Sequence, residues 1–153
     1  MTDFARRRSI MVDTQVRPSD VTKFPIIDAM LTVPRELFVP ADKRELAYVG
    51  EHVGIGDGRV VLDPRTLAKM LEVANIQNDE LVLDIGSGLG YSAALAAHIA
   101  DAVIALEDSA DRVTEAEAAL AEVRIPEPAR RLRQYPRYRG CHLEPRRYPD
   151  RSR

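Results

Sequence analysis

The feature that most constrains the fold is a run of alternating strand and helix patterns in the middle of the chain. The apolar residues 80–85 predict a short buried strand, and the alanine-rich residues 91–100 predict a helix. A second strand pattern follows at residues 102–106, and a second helix pattern ends near Val123. This order predicts an α/β fold with a parallel strand pair, a right-handed crossover and a ligand crevice at the carboxyl ends of the strands.

A glycine-rich turn, Gly86-x-Gly88-x-Gly90, joins the first strand to the first helix. Glycine lets the backbone approach a ligand closely, and the helix that follows offers free N–H groups and a positive dipole end to an anionic group. Glu107 closes the second strand, at the place where a Rossmann-type site holds the acid that binds ribose hydroxyls. The glycine spacing, preceded by Asp84, favours S-adenosylmethionine (SAM) over a dinucleotide.

The expected cofactor-binding residues lie in and around this turn and at the end of the second strand. They are Asp84, Gly86, Ser87, Gly88, Gly90, Tyr91 and Glu107. The alternative interpretation is that the glycines only make a tight turn and that the acid is a solvated strand end. The nucleotide site is favoured, because strand, glycine turn, helix, second strand and terminal acid follow one another at the expected spacing. No metal site is expected, because the three histidines lie far apart and Cys141 is the sole cysteine.

The residues before the glycine turn predict helices and loops. Apolar residues at helical spacing predict a helix from about Thr22 to Val33. The glycine-rich residues 53–58 predict a loop. Asp63 is a good N-cap with Pro64 at the first helical position, so a further helix is expected to run to about Ala74.

The composition changes abruptly near Val123. The whole chain has 153 residues and a formal net charge of -2, but the C-terminal tail, residues 124–153, is rich in arginine and proline. Its prolines break any run long enough for a helix or a central strand, so we expect a disordered tail that supplies no strand. The predicted organisation is therefore an N-terminal helical and loop segment (1–62), a βαβα core (63–123) and this tail.

Location and partners follow from what the sequence contains. No stretch approaches the roughly 20 apolar residues of a membrane span, and no apolar leader follows the first residues, so we expect a cytoplasmic protein without membrane contact. Arginines interleaved with Tyr135, Tyr138 and Tyr148 could bind nucleic acid or another polyanion. A solvated basic tail is favoured, because no RNA-binding fold accompanies it.

Several motifs between residues 11 and 123 resemble those of one enzyme family. They are Met11-Val12-Asp13-x-Gln15-x-Arg17, Ala29-Met30-x-x-Val33-Pro34-Arg35-Glu36-x-Phe38-Val39-Pro40, Gly54-x-Gly56-x-Gly58 followed by Pro64, Val82-Leu83-Asp84-Ile85-Gly86-Ser87-Gly88-Leu89-Gly90-Tyr91 and Ala105-Leu106-Glu107. The chain thereby resembles the protein-L-isoaspartate (D-aspartate) O-methyltransferases, which use SAM to methylate the carboxylate of damaged aspartyl residues. The Val-Pro-Arg-Glu-x-Phe-Val segment is the most family-specific of these motifs.

The resemblance implies a Rossmann-like SAM-dependent methyltransferase fold with an N-terminal helical segment, and a function in protein repair. Protein or peptide carboxylates would be the methyl acceptors. Such a carboxylate is already ionised at neutral pH, so no catalytic base is expected. Catalysis would come mainly from holding the carboxylate oxygen and the methyl group in line.

The sequence departs from the family at two places. Val60 and Leu62 stand where the family has hydroxyl-bearing residues, and neither can donate a hydrogen bond to a substrate carboxylate. The tail also lacks patterns of the family's later strands, which predicts an incomplete fold that is C-terminally truncated or frameshifted. The alternatives are therefore a catalytically inactive SAM-binding fragment or paralogue, and a polyanion-binding protein.

Overall fold

The structure, a computed structural model, describes residues 3–123 and the backbone of residues 133–136. The helices are α1 (Phe4–Met11), α2 (Phe24–Thr32), α3 (Pro64–Ala74), α4 (Tyr91–Ile99) and α5 (Ala110–Glu122). The strands are β1 (Val53–Gly56), β2 (Arg59–Val61), β3 (Leu81–Ile85), β4 (Ala102–Glu107) and β5 (Arg133–Pro136). Short helical turns cover Val12–Val16, Arg17–Ser19, Arg35–Phe38 and Ala41–Leu46.

The structure confirms the helices predicted on either side of the glycine-rich loop. Helix α2 has Pro25 in its first turn, where a missing N–H costs no hydrogen bond. Helix α3 begins at Pro64, and the carboxylate of Asp63 caps it by accepting from the backbone N–H of Thr66 over 2.9 Å. The left-handed Asn75 ends α3.

Residues 53–61 form an antiparallel hairpin rather than a loop. Strand β1 pairs with β2, with Val53 opposite Val61. The prediction of a loop at residues 53–58 is therefore wrong apart from the two turn residues. Asp57 and Gly58 both have positive φ, at 52° and 70°, which is the geometry of a two-residue hairpin turn and the reason that Asp-Gly is favoured there.

The larger sheet is parallel and has the order β3-β4-β5. Leu83 of β3 lies opposite Ile104 of β4, and α4 makes the crossover, as predicted. Ile104 also lies opposite Arg133 of β5, so the prediction that the tail supplies no strand is wrong for Arg133–Pro136. An outer strand needs hydrogen bonds on one side alone and tolerates Pro136 at its end. The remainder of the predicted disordered tail lies outside the described residues.

One core joins the N-terminal helices to α3 and α4. Its fully buried side chains include Met11, Val12, Val16, Met30, Val33, Phe38 and Leu95. A second cluster packs the alanines of α4 against Val103 and Ala105 of β4. These small side chains let the helix lie close to the sheet, which brings its N-terminus over the glycine turn.

Strand β3 is less buried than the sequence predicts. Leu81, Leu83 and Ile85 are 67%, 55% and 74% exposed. Alternate residues of a strand point to opposite faces. Val82 packs into the alanine cluster beneath α4, whereas the opposite face of β3 is open among the residues described here. The prediction of a buried strand is therefore correct for the face that carries Val82 and wrong for the face that carries Leu81, Leu83 and Ile85.

Buried charged residues connect the N-terminal segment to the rest of the fold. The Arg35 side chain is fully buried, and its guanidinium donates to the Leu62 carbonyl over 2.7 Å and lies 4.9 Å from the centre of the Tyr91 ring. Glu36 accepts from Arg8 over 3.1 Å and from the Tyr48 hydroxyl. The adjacent residues Arg35 and Glu36 of the family-specific segment thus hold the N-terminal segment against the rest of the fold.

Within the part of the chain described above, no helix combines the length and the apolar character needed to cross a membrane.

Candidate cofactor site

The glycine turn lies at the carboxyl end of β3 and is fixed to the neighbouring strand. The backbone N–H groups of Gly86 and Ser87 both donate to the Leu106 carbonyl, over 2.8 and 3.0 Å. Gly86 and Gly88 have φ of 75° and 59°, a left-handed conformation that a side chain would strain. The turn leads directly into the first turn of α4, where the first N–H groups of the helix have no partner within the helix.

Glu107 ends β4 and points back at this turn. Its Oε2 accepts from the Gly88 N–H over 2.7 Å and from Nη2 of Arg59 over 3.3 Å. Its Oε1 accepts from the N–H groups of Asp108 and Ser109, over 3.1 and 3.2 Å. The structure therefore brings the predicted acid and the predicted glycine turn into direct contact.

The surroundings of Glu107 keep it ionised. Burial by itself would raise the pKa of its carboxyl group. Hydrogen bonds from Asp108, Ser109 and Gly88, together with the Arg59 charge, outweigh that effect and lower the pKa to about 2. At neutral pH the carboxylate is therefore an acceptor for donors such as the hydroxyls of a ribose.

A second carboxylate, Asp84, lies on β3 just before the glycine turn. Burial raises the pKa of Asp84, a hydrogen bond from Ser92 opposes this effect, and the Glu107 charge adds to it. Oγ of Ser92 donates to the Asp84 carboxylate over 2.7 Å. Sequence reasoning missed Ser92, although its position one residue inside α4 and near the glycine turn would have marked it.

A cavity of about 220 Å³ opens beside the turn. Five of the predicted site residues line it: Asp84, Gly86, Ser87, Gly88 and Tyr91. Its opposite wall is apolar and consists of Ile55, Val60, Val61, Leu62, Leu67 and Met70. The hairpin and α3 therefore face the glycine turn across this space.

Gly90 and Tyr91 also have packing roles. A Cβ on Gly90 would lie 3.3 Å from Ala116 Cβ, so this glycine allows α5 to pack closely. The Tyr91 ring is 5.7 Å from the Phe38 ring and is buried in the N-terminal core. By contrast, the buried hydroxyl of Ser87 has no hydrogen-bond partner among the described residues, and this residue lines the cavity.

The two hydroxyl-replacing residues also line this cavity. Val60 is 42% exposed on β2, and Leu62 follows the strand and is partly buried. They form a wall without a side-chain donor opposite Asp84. The substitution noted in the sequence therefore falls on the cavity surface itself.

Comparison with known proteins identifies the family. Residues 7–127 match the family described as Protein-L-isoaspartate(D-aspartate) O-methyltransferase. Protein-L-isoaspartate O-methyltransferase 1 of Rhodopseudomonas palustris is 39% identical over 124 residues, which are 81% of this chain and 51% of that protein. Protein-L-isoaspartate O-methyltransferase 2 of an Anaeromyxobacter species is 41% identical over 102 residues, 67% of this chain and 41% of that protein.

Solved structures show the same fold. A Plasmodium falciparum protein, described as a putative protein-L-isoaspartate O-methyltransferase in complex with S-adenosyl-L-homocysteine, superposes with a TM-score of 0.66 at 17% identity, over 88% of this chain and 63% of its own. A second protein-L-isoaspartate O-methyltransferase gives 0.62 at 20% identity, over 86% of this chain and 41% of its own. The chain thus has an incomplete Rossmann-like methyltransferase fold and spans about half the length of the curated relatives it matches. It belongs to the protein-L-isoaspartate (D-aspartate) O-methyltransferase family.

Proposed function

We propose that this chain binds SAM, or the S-adenosylhomocysteine (SAH) that methyl transfer leaves, at the glycine turn, with one end in the cavity beside the turn and the ribose at Glu107, which lies next to Gly88 outside the cavity lining. The observation that carries the proposal is the hydrogen bond from the Gly88 N–H to the Glu107 carboxylate, because it fixes the glycine turn and the ionised acid next to each other. Such a cofactor has ribose hydroxyls, which need a hydrogen-bond acceptor, and an amino-acid carboxylate, which needs hydrogen-bond donors. Glu107 supplies the first, and the N-terminus of α4 with the unpaired Ser87 hydroxyl supplies the second.

The remaining site residues fit the same ligand. Asp84 is a carboxylate in the wall of the cavity and would pair with the ammonium group of the cofactor. Gly86 and Gly88 keep the backbone free of side chains where the ligand passes, and Gly90 and Tyr91 fix the start of α4. The bound cofactor would supply an activated methyl group, and these residues would hold it in place.

The proposed reaction is methyl transfer to a carboxylate of a damaged aspartyl residue. A carboxylate oxygen would form the new bond to the methyl carbon as the bond from that carbon to sulfur breaks, which gives a methyl ester and SAH. Because the acceptor is ionised at neutral pH, no residue needs to remove a proton. Positioning is then the main requirement.

The cavity wall favours slow turnover. Val60 and Leu62 line the cavity and offer no side-chain hydrogen bond to orient an acceptor carboxylate. We therefore expect methyl transfer to an isoaspartyl peptide to be very slow or absent. Cofactor binding without turnover is the second candidate function, and this apolar wall is what supports it.

Calorimetric titration with SAH tests the binding proposal. Glu107→Ala should weaken binding by roughly 1.5–3 kcal/mol, because a charge-assisted hydrogen bond is lost. Glu117→Ala removes an exposed carboxylate from α5 and should bind as the wild type does. Equal affinity of wild type and Glu107→Ala would rule out the ribose role of Glu107.

A labelling assay tests turnover separately. SAM with a labelled methyl group is incubated with an isoaspartyl peptide and with the matching aspartyl peptide. Efficient labelling of the isoaspartyl peptide alone would contradict the slow turnover proposed here. Polyanion binding by the tail and a cytoplasmic location stay predictions, and salt-dependent retention on heparin would test the first.

A further inference from the structure

The carboxylate proposed to bind the ribose is already fully occupied by donors from this chain. Two basic side chains reach it in addition to three backbone N–H groups. Arg59 donates to Oε2 of Glu107 over 3.3 Å, and Arg112 donates to Oε1 over 3.4 Å. A carboxylate has about four lone-pair sites, so a ribose hydroxyl needs one of these donors to leave.

Arg59 reaches this carboxylate from the hairpin. It is the first residue of β2, and its Nη2 also donates to the Gly86 carbonyl over 2.8 Å. A Cβ on Gly86 would lie 3.2 Å from the same nitrogen. The guanidinium therefore lies directly on the glycine turn and contacts the Glu107 carboxylate from there.

The two arginines differ in how firmly they are held. The Arg112 side chain is 10% exposed and also pairs with Asp57 at the tip of the hairpin. The Arg59 side chain is 35% exposed. Its Nη1 lies 3.9 Å from a carboxylate oxygen of Asp108, a side chain that is 88% exposed. Both arginines pair with the same buried carboxylate, but water reaches the Arg59 side chain more readily and can hydrate it when it leaves, so Arg59 is the donor that can leave.

We propose that Arg59 competes with the ribose hydroxyls of the cofactor for Glu107 and so lowers cofactor affinity. This inference rests on the proposed function, because it takes Glu107 as the ribose ligand. On binding, the guanidinium moves from Glu107 towards Asp108 while Arg112 and Asp57 keep the hairpin tip in place. Arg59 is then an affinity-determining residue that occupies the ribose position in the free protein.

The test compares SAH with its 2′,3′-dideoxy analogue by calorimetric titration. Arg59→Ala should bind SAH about three- to fivefold more tightly, as expected for the loss of a partly exposed ion pair, and should bind the dideoxy analogue with unchanged affinity. Arg59→Lys keeps a charged donor and should stay near the wild type. Arg7→Ala is the matched control, because Arg7 also forms a partly exposed ion pair, with Glu45, far along the chain from this turn.

Two results would overturn the proposal. One is SAH binding by Arg59→Ala that is unchanged or weaker, which would make Arg59 a support of the site. The other is an equal gain for both ligands, which would indicate a general opening of the hairpin. Arg59→Gln, which keeps an amide donor without charge, replaces Arg59→Ala if circular dichroism shows that the alanine variant is unfolded.

The failure of this inference is distinguishable from failure of the proposed function. If Glu107→Ala weakens SAH binding and Arg59→Ala leaves it unchanged, the ribose role of Glu107 holds and the competition does not occur. If neither wild type nor Arg59→Ala binds SAH, the proposed function itself is wrong, and the competition is excluded with it.

Discussion

The backbone N–H of Gly88 donates to Oε2 of Glu107 over 2.7 Å, so the turn after β3 and the last residue of β4 form one hydrogen-bonded unit. The Glu107 side chain is 2% exposed. The folded chain therefore holds a buried, ionised carboxylate in place without any ligand. Both stability and ligand binding should depend on its ionisation.

We expect the chain to lose stability as the pH falls from about 4.5 to about 2, because the pKa of Glu107 is about 2 in the folded chain against an ordinary value of 4.5. The unfolded chain takes up the proton first, so the stabilisation is complete above pH 4.5 and is lost as the pH falls through the folded pKa. Its size is about 3 kcal/mol.

Urea unfolding at neutral pH and at several acidic values measures this loss. Glu107→Gln removes the titrating group, so its stability should be lower at neutral pH and flatter across the acidic range. Glu117→Gln, an exposed substitution on α5, should keep the slope of the wild type. Identical slopes for the wild type and Glu107→Gln would contradict the prediction.

Two neighbouring arginines of α1 should differ sharply in their effect on folding. Arg8 pairs with Glu36, and the two side chains are 13% and 11% exposed. Arg8→Ala leaves a buried carboxylate without its cation and should cost about 3 kcal/mol of unfolding free energy. Arg7 pairs with Glu45 at the surface, so Arg7→Ala should cost less than about 1 kcal/mol. Denaturant titration of both variants checks this, and equal losses would contradict it.

The cap of α3 gives a smaller, local prediction. The Asp63 carboxylate accepts from the Thr66 N–H over 2.9 Å at the start of the helix that lines the cavity. Asp63→Ala should lower the unfolding free energy by about 1 kcal/mol, whereas Asp63→Asn keeps the acceptor and should cost much less. Thermal unfolding followed by circular dichroism measures both, and a similar loss in the two variants would assign the effect to charge.

The open face of β3 predicts self-association. Leu83 is 55% exposed in the middle of a strand whose outer edge has no strand partner among the described residues. Exposed apolar edge strands associate, and a lysine on the edge prevents this. Leu83→Lys should therefore shift the protein towards monomer in analytical ultracentrifugation. Leu46→Lys changes an equally apolar residue that is 50% exposed elsewhere and should have no such effect.

The strand, turn and helix pattern was predictable because each part depends on its own residues. Asp63 with Pro64 sets the start of α3, and the glycines set the turn after β3. The parallel pairing of β3 and β4 then follows from the order of the elements. Glu107 was predictable as a site residue for the same reason, since its position depends only on where β4 ends.

Long-range contacts could not be predicted in the same way. The contacts from Arg59 to Gly86 and Glu107 join residues that the sequence separates by 27 and 48 positions. No local pattern encodes such a distance. Strand β5 was missed because its pairing uses main-chain groups, which composition does not report.

The glycine turn is also in contact with the hairpin. A Cβ on Gly88 would lie 3.0 Å from Cδ1 of Ile55, and the corresponding position on Gly86 is next to Arg59. A lineage that had stopped using the cofactor would still be under selection to keep both glycines, because a side chain at either position would strain the left-handed backbone of the turn. Persistence of the glycine motif in descendants of this chain would thus reflect backbone geometry, whereas persistence of the unpaired Ser87 hydroxyl would indicate that a ligand is still bound.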